Sequence, residues 1–88
     1  MNKMRRKELR DWIKKAEEWA AQGEALKSEL ENIHSDEEEY FDNMPENLQG
    51  SMNGINSEEA IDAMNEAIEC MDKAIEAAEE AASCIEGI

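Results

Sequence analysis

Glu31 and His34 stand three positions apart, the spacing at which one helix can offer a carboxylate and an imidazole to a dinuclear metal centre completed by a second chain. The heptad frame argues against that use. With Leu9, Ala16 and Leu30 at position a, Glu31 falls at b and His34 at e, beside the apolar seam. A solvated glutamate and a surface histidine are expected there, and no metal is assigned. Asp36, Glu37, Glu38, Glu39 and Asp42 are dense enough to attract divalent cations. A calcium loop, however, needs alternating oxygen ligands around a central glycine, which this run lacks. Cys70 and Cys84 are fourteen positions apart on one helical segment, about 21 Å along its axis, too far to bridge. They read as small packing residues in a reducing compartment. With one histidine and no Gly-rich phosphate loop, the constellations for nucleophilic or phosphoryl chemistry are missing. Catalytic residues and cofactors are therefore expected to be absent, and the chain reads as a binding protein and not an enzyme.

Charge is the stronger signal. Seven of the nine basic residues lie in the first fifteen positions, which carry net +5, while the remainder carries −19, for −14 overall. Lys3, Arg5, Arg6, Lys7 and Arg10 form a short positive patch near Trp12, a pattern compatible with a phosphate backbone. The acidic remainder opposes such contact, so direct nucleic-acid binding is not expected. A regularly spaced acidic helix face instead imitates nucleic acid to a basic protein groove. No long apolar run and no signal-like apolar stretch after Arg10 occurs, so no membrane contact and a cytoplasmic location are expected.

These side chains must be positioned by helices. From Ile61 to Ile85, apolar residues recur at a and d without interruption, in a near-sevenfold repeat. The spacing predicts a helix over about 57–87, capped by Asn56 or Ser57 and stopped by Gly87. Alanines Ala60, Ala67, Ala74 and Ala81 occupy g, with Ala63, Cys70, Ala77 and Cys84 at c, a small-residue stripe that lets another helix approach closely. In the N-terminal half, Trp12, Trp19, Leu26, Ile33 and Tyr40 hold d, predicting a long helix within 1–43 that ends before Pro45. Gly23 is its weak point; one glycine costs only about 1 kcal/mol, so a continuous helix is expected. Between them, 44–56 reads as a structured tip. Met44, Leu48 and Met52 recur every four residues, Gly50 and Gly54 punctuate, and Tyr40, Phe41 and Ile55 are expected to close a small cluster, a plug that seals the hairpin end or, alternatively, a partner-binding knob.

The stretch Phe41 to Gly54, FDNMPENLQGSMNG, followed by an acidic alanine-rich helix, resembles a family of small uncharacterised proteins of bacteriophages and mobile elements. The matching positions are Phe41, Asp42, Asn43, Pro45, Glu46, Leu48, Gln49, Ser51 and Gly54, with Met44 where the family usually has Leu. The resemblance covers about the C-terminal half, and the basic N-terminal segment lies outside it. It implies a helical hairpin and a viral or mobile-element setting in a bacterial host cell, and it carries over no catalytic residue.

The expected fold is all-α. One domain spans 1–88, an antiparallel hairpin of two long helices with a short helical tip, dimerising into a bundle through Trp12, Trp19 and the Ala60, Ala67, Ala74, Ala81 row. Opposition across the hairpin is expected to bring Glu86 to Lys14 and Lys15. The expected function is binding of a host protein with a basic, nucleic-acid-handling or defence-type surface, and inhibition is its stronger form. Asp36, Glu37, Glu38, Glu39, Asp42 and Glu46 are the acidic contact, and Lys3, Arg5, Arg6 and Lys7 a basic one. A structural self-assembly module and a small-molecule sponge between subunits are the alternatives.

Overall fold

The computed structural model describes residues 1–88. Three helices follow one another: α1 (Lys3–Asp42), α2 (Glu46–Gln49) and α3 (Met52–Glu86). Helices α1 and α3 pack antiparallel into a hairpin 69 Å long and 15 Å across, with α2 folded over the turn. At the start of α1 the Asn2 side chain accepts a hydrogen bond from the Arg5 amide at 2.8 Å, meeting one of the four amides a helix N-terminus leaves free. The helix runs unbroken through Gly23 and stops at Asn43, ahead of Pro45.

The seam between the long helices differs from the expected one. On α3 it follows a and d as the repeat demands, with Ile75 and Ala82 buried and Ile61, Met64, Ile68, Met71 and Ile85 partly covered. On α1 it follows a and e instead of a and d. Leu9, Ile13, Ala16, Ala20, Gly23 and Leu30 turn inward, then His34, Glu37 and Phe41. The cause is size. Ala16, Ala20 and Gly23 make a shallow strip along α1, and Ile75 seats at its Gly23 end with only 2% of its surface exposed. A Cβ on Gly23 would lie 3.0 Å from Ile75 Cγ1, so glycine fits where the side chain of α3 needs room. Tryptophans at d facing inward would hold the helices apart and forfeit this contact.

Two further expectations are corrected on α3. The helix begins at Met52, five residues before the expected start, because Ser51 is the cap: its Oγ accepts from the Gly54 amide at 3.4 Å. Gly54 continues the helix, and no glycine has positive φ. Ser57, expected as a cap, is buried inside the first turns, and its hydroxyl has no hydrogen-bond partner. A buried, unpaired hydroxyl opposes folding, and serine is a weaker helix former than alanine. Ser57→Ala is therefore expected to raise stability by about 1 kcal/mol, read as a higher urea midpoint with unchanged slope.

The tip is structured but does not form the expected plug. Gln49 Nε2 donates to the Phe41 and Met44 carbonyls at 3.4 and 3.3 Å, capping the end of α1. The closed cluster is absent: Tyr40, Leu48, Met52 and Ile55 are all exposed, and Tyr40, Met44, Pro45 and Leu48 line an open hollow.

Candidate functional surfaces

Helix α1 places its seven N-terminal cations and its acidic last turns at opposite ends of the rod. At the acidic end Asp36, Glu38, Glu39, Asp42 and Glu46 are exposed, whereas Glu37 is a seam residue half-covered by α3. It is therefore less available to a partner than its neighbours. Packing of α3 adds two acids that the run of charge in α1 does not reveal. Glu58 and Asp62 stand across a groove from Glu38 and Asp42, with Phe41 and Ile61 along the same groove. The signal for them was present in the opposition of the helices, but it required the correct register. No Lys or Arg lies between Lys27 and Lys73, and the one basic side chain that reaches this end is His34, beside Glu38.

His34 is another consequence of the a/e seam. Expected at the surface, it is tucked toward α3, with Nδ1 at 2.9 Å from Glu38 Oε1 and a buried Nε2 that has no partner. Glu31 remains exposed on α1, and no group of three or more His, Cys, Asp or Glu side chains is arranged to hold a metal ion.

At the other end Lys3, Arg5, Arg6 and Lys7 are exposed. Glu86 does not meet Lys14 and Lys15; it lies beside Arg6 and Arg10, around a shallow pocket with Leu9, Ile13, Ile85 and Ile88. The helices are displaced from the expected register, because the tip consumes fewer residues once α3 starts at Met52. Lys14 and Lys15 are left exposed and outside any ion pair.

One cation is used inside the hairpin. Lys27 Nζ lies 2.5 Å from Asp72 Oδ1, with 20% of the lysine side chain exposed. The hydrogen bond to Asp72 raises the Lys27 pKa above 10.5, opposed by partial desolvation and helped by the charges of Asp72, Glu31 and Glu24. Because the folded value is raised, this contribution to stability is fully present below 10.5 and disappears as pH rises through the folded pKa. Thermal melts of the native chain and Lys27→Met should converge as the solution is made alkaline. A gap that stays constant through that range would refute the assignment.

A third surface is apolar. Trp12, Trp19, Leu26, Ile33 and Tyr40 retain 46, 50, 58, 55 and 54% of their exposure, forming a ridge along most of α1. Between ridge and α3 runs a wholly apolar groove lined by Trp12, Ala16, Trp19, Ala74, Ala78 and Ala81. Ala74 and Ala81 thus share this groove with Trp12 and Trp19 within one hairpin, while Ala60 and Ala67 extend the same row toward the tip. Cys70 and Cys84 are free thiols exposed beside that row. No helix is long and apolar enough to cross a membrane. Comparison with family models, curated proteins and solved structures yields no match.

Proposed function

We propose that this chain is a non-enzymatic interaction protein, of bacteriophage or mobile-element origin, that binds a host protein with a basic surface in the bacterial cytoplasm. A nucleic-acid-handling or defence factor is the kind of partner that presents such a surface. The observation that carries this reading is the acidic groove of Glu38, Asp42, Glu58 and Asp62, supplied by both helices, with no Lys or Arg in the chain between Lys27 and Lys73 and only His34 beside Glu38. Carboxylates held at helical spacing on a rigid rod resemble the charge spacing of a nucleic-acid backbone, and they steer association with a basic groove. Phosphate itself would be repelled, so the partner is a protein and not DNA or RNA.

The test is affinity capture with the native chain and with a variant carrying Glu38→Gln, Asp42→Asn, Glu58→Gln and Asp62→Asn. Capture of a basic protein should weaken with salt and fall at least about tenfold in the variant, since each lost charge contact is worth on the order of 1 kcal/mol at a partly screened interface. Undiminished capture by the variant would remove charge mimicry as the mechanism.

A second reading, a structural self-assembly module, is favoured by a different observation: the half-exposed ridge of five large side chains on α1. Acidic flanks and an apolar face occupy different parts of the rod, so the two readings do not exclude each other.

A further inference from the structure

The hairpin is under-buried. Its accessible surface is 6731 Å² for 10.0 kDa, whereas a folded monomer of that mass is expected to expose about 5,200 Å². The excess, roughly 1,500 Å², exceeds the ~800 Å² that each partner contributes to a standard interface. Only Ala20, Ile75 and Ala82 are buried apolar residues, and none of the larger side chains is fully enclosed. The ridge on α1 and the alanine row on α3 lie side by side on one face, the face that a covering partner would have to meet.

We infer that this face is covered by a second copy of the chain, docked antiparallel about a twofold axis through Leu26 to give a four-helix bundle. This rests on the self-assembly reading and adds the occupant and its direction. Three features point to the arrangement.

The ridge is symmetric about its centre. Turning it about Leu26 places Trp12 on Tyr40 of the second copy, Trp19 on Ile33, and Leu26 on itself, so large residues meet large residues along the whole length.

The alanine row has its own centre, midway between Ala67 and Ala74. That centre lies at nearly the height of Leu26, because Gly23 opposes Ile75 and Lys27 opposes Asp72 across the hairpin. One axis therefore serves both helices, and alanine meets alanine where α3 approaches α3.

Charge selects the direction. In the g row beside the ridge, antiparallel docking sets Lys15 near Asp36, Gln22 near Glu29 and Glu8 near Asn43 of the second copy. Parallel docking would set Lys15, Glu29 and Asp36 each against its own twin and bring the two acidic tips together, an arrangement penalised by like-charge repulsion. Antiparallel docking also lays the basic first turns of α1 over the acidic last turns of the other α1, which offers Lys3, Arg5 and Lys7 the acidic neighbours that Arg6 and Arg10 already have in Glu86 of the single hairpin.

The native cysteines report on this geometry. Cys70 sits close to the axis on the edge of the alanine row, so its twin comes within disulfide reach, whereas Cys84 and its twin would be about 40 Å apart. Sedimentation of the full chain at micromolar concentration should give a dimer. Mild oxidation should link the dimer covalently, with the link kept in Cys84→Ser and lost in Cys70→Ser. Leu26→Glu and Ala67→Glu, both at positions exposed in the hairpin, should give monomers with unchanged helical circular dichroism. A monomeric native chain would overturn both the self-assembly reading and the inference. A dimer that links as readily through Cys84, or one that survives Leu26→Glu, would overturn the antiparallel arrangement alone, as would an assembly larger than two.

Discussion

Ile75→Ala is expected to remove about 4 kcal/mol, a large share of the stability of an 88-residue helical hairpin. Ile75 is the most enclosed large side chain in the molecule, and it rests on Gly23 at the point where α1 and α3 come closest to a conventional core. Large-to-small changes cost least where neighbours can collapse into the space. Here the facing residue has no side chain with which to do so, which places the loss toward the upper part of the usual range of ~2–5 kcal/mol. The same contact predicts coupling. Gly23→Ala in the native background trades a helix-propensity gain of about 1 kcal/mol against a Cβ crowded by Ile75; in the Ile75→Ala background the crowding is gone and the gain remains. Urea denaturation of the four proteins, at one fixed chain concentration so that any association cancels, should show Gly23→Ala stabilising the weakened protein more than the native one. Strict additivity would mean that the two residues do not share the packing contact described.

Gly54→Ala should open the tip. A Cβ at this position would lie 2.0 Å from the Gln49 carbonyl oxygen and 2.5 Å from its carbonyl carbon, and both atoms belong to backbone that cannot rotate away. Relief requires moving α2, which withdraws the Gln49 amide from the Phe41 and Met44 carbonyls and so uncaps α1. A cost of about 3 kcal/mol, or roughly 10–20 °C in thermal midpoint, is expected. Gly50→Ala is the control. Its added Cβ meets nothing within 4 Å and its backbone is already in the right-handed helical region, so the change should be neutral or raise the midpoint by a few degrees. Equal effects at the two glycines would contradict the close approach of α2 and α3. The contrast also explains part of the Phe41–Gly54 stretch in physical terms: Gln49, Ser51 and Gly54 are turn-building residues, joined through a side-chain cap, a helix cap and a backbone contact.

Much of the fold was legible in residue spacing. The uninterrupted a and d repeat from Ile61 to Ile85 required a helix, Gly87 ended it, Pro45 ended the first, and the single Gly23 was too small a penalty to break forty residues of helix. The start of α3 was less legible. Gly54 and the polar residues around it look like loop composition, and the reason for glycine there is a contact with Gln49, five residues earlier in the chain. The acidic groove was half legible: the run from Asp36 to Asp42 is conspicuous, while Glu58 and Asp62 join it only through the register of α3 against α1.

Taken alone, the sequence determined helix type, the approximate extent of both long helices, the polarity of charge along the rod and the absence of any long apolar span, because these depend on local propensity and on the order of residues. Tertiary packing alone decided which way α1 faces. Positions a, d and e occupy neighbouring sectors of one helix, so periodicity permits either an a/d or an a/e seam, and hydropathy favours the one carrying the tryptophans. The close fit of Ile75 against Gly23 favours the other, turning Trp12, Trp19, Leu26, Ile33 and Tyr40 outward as the apolar face of the hairpin.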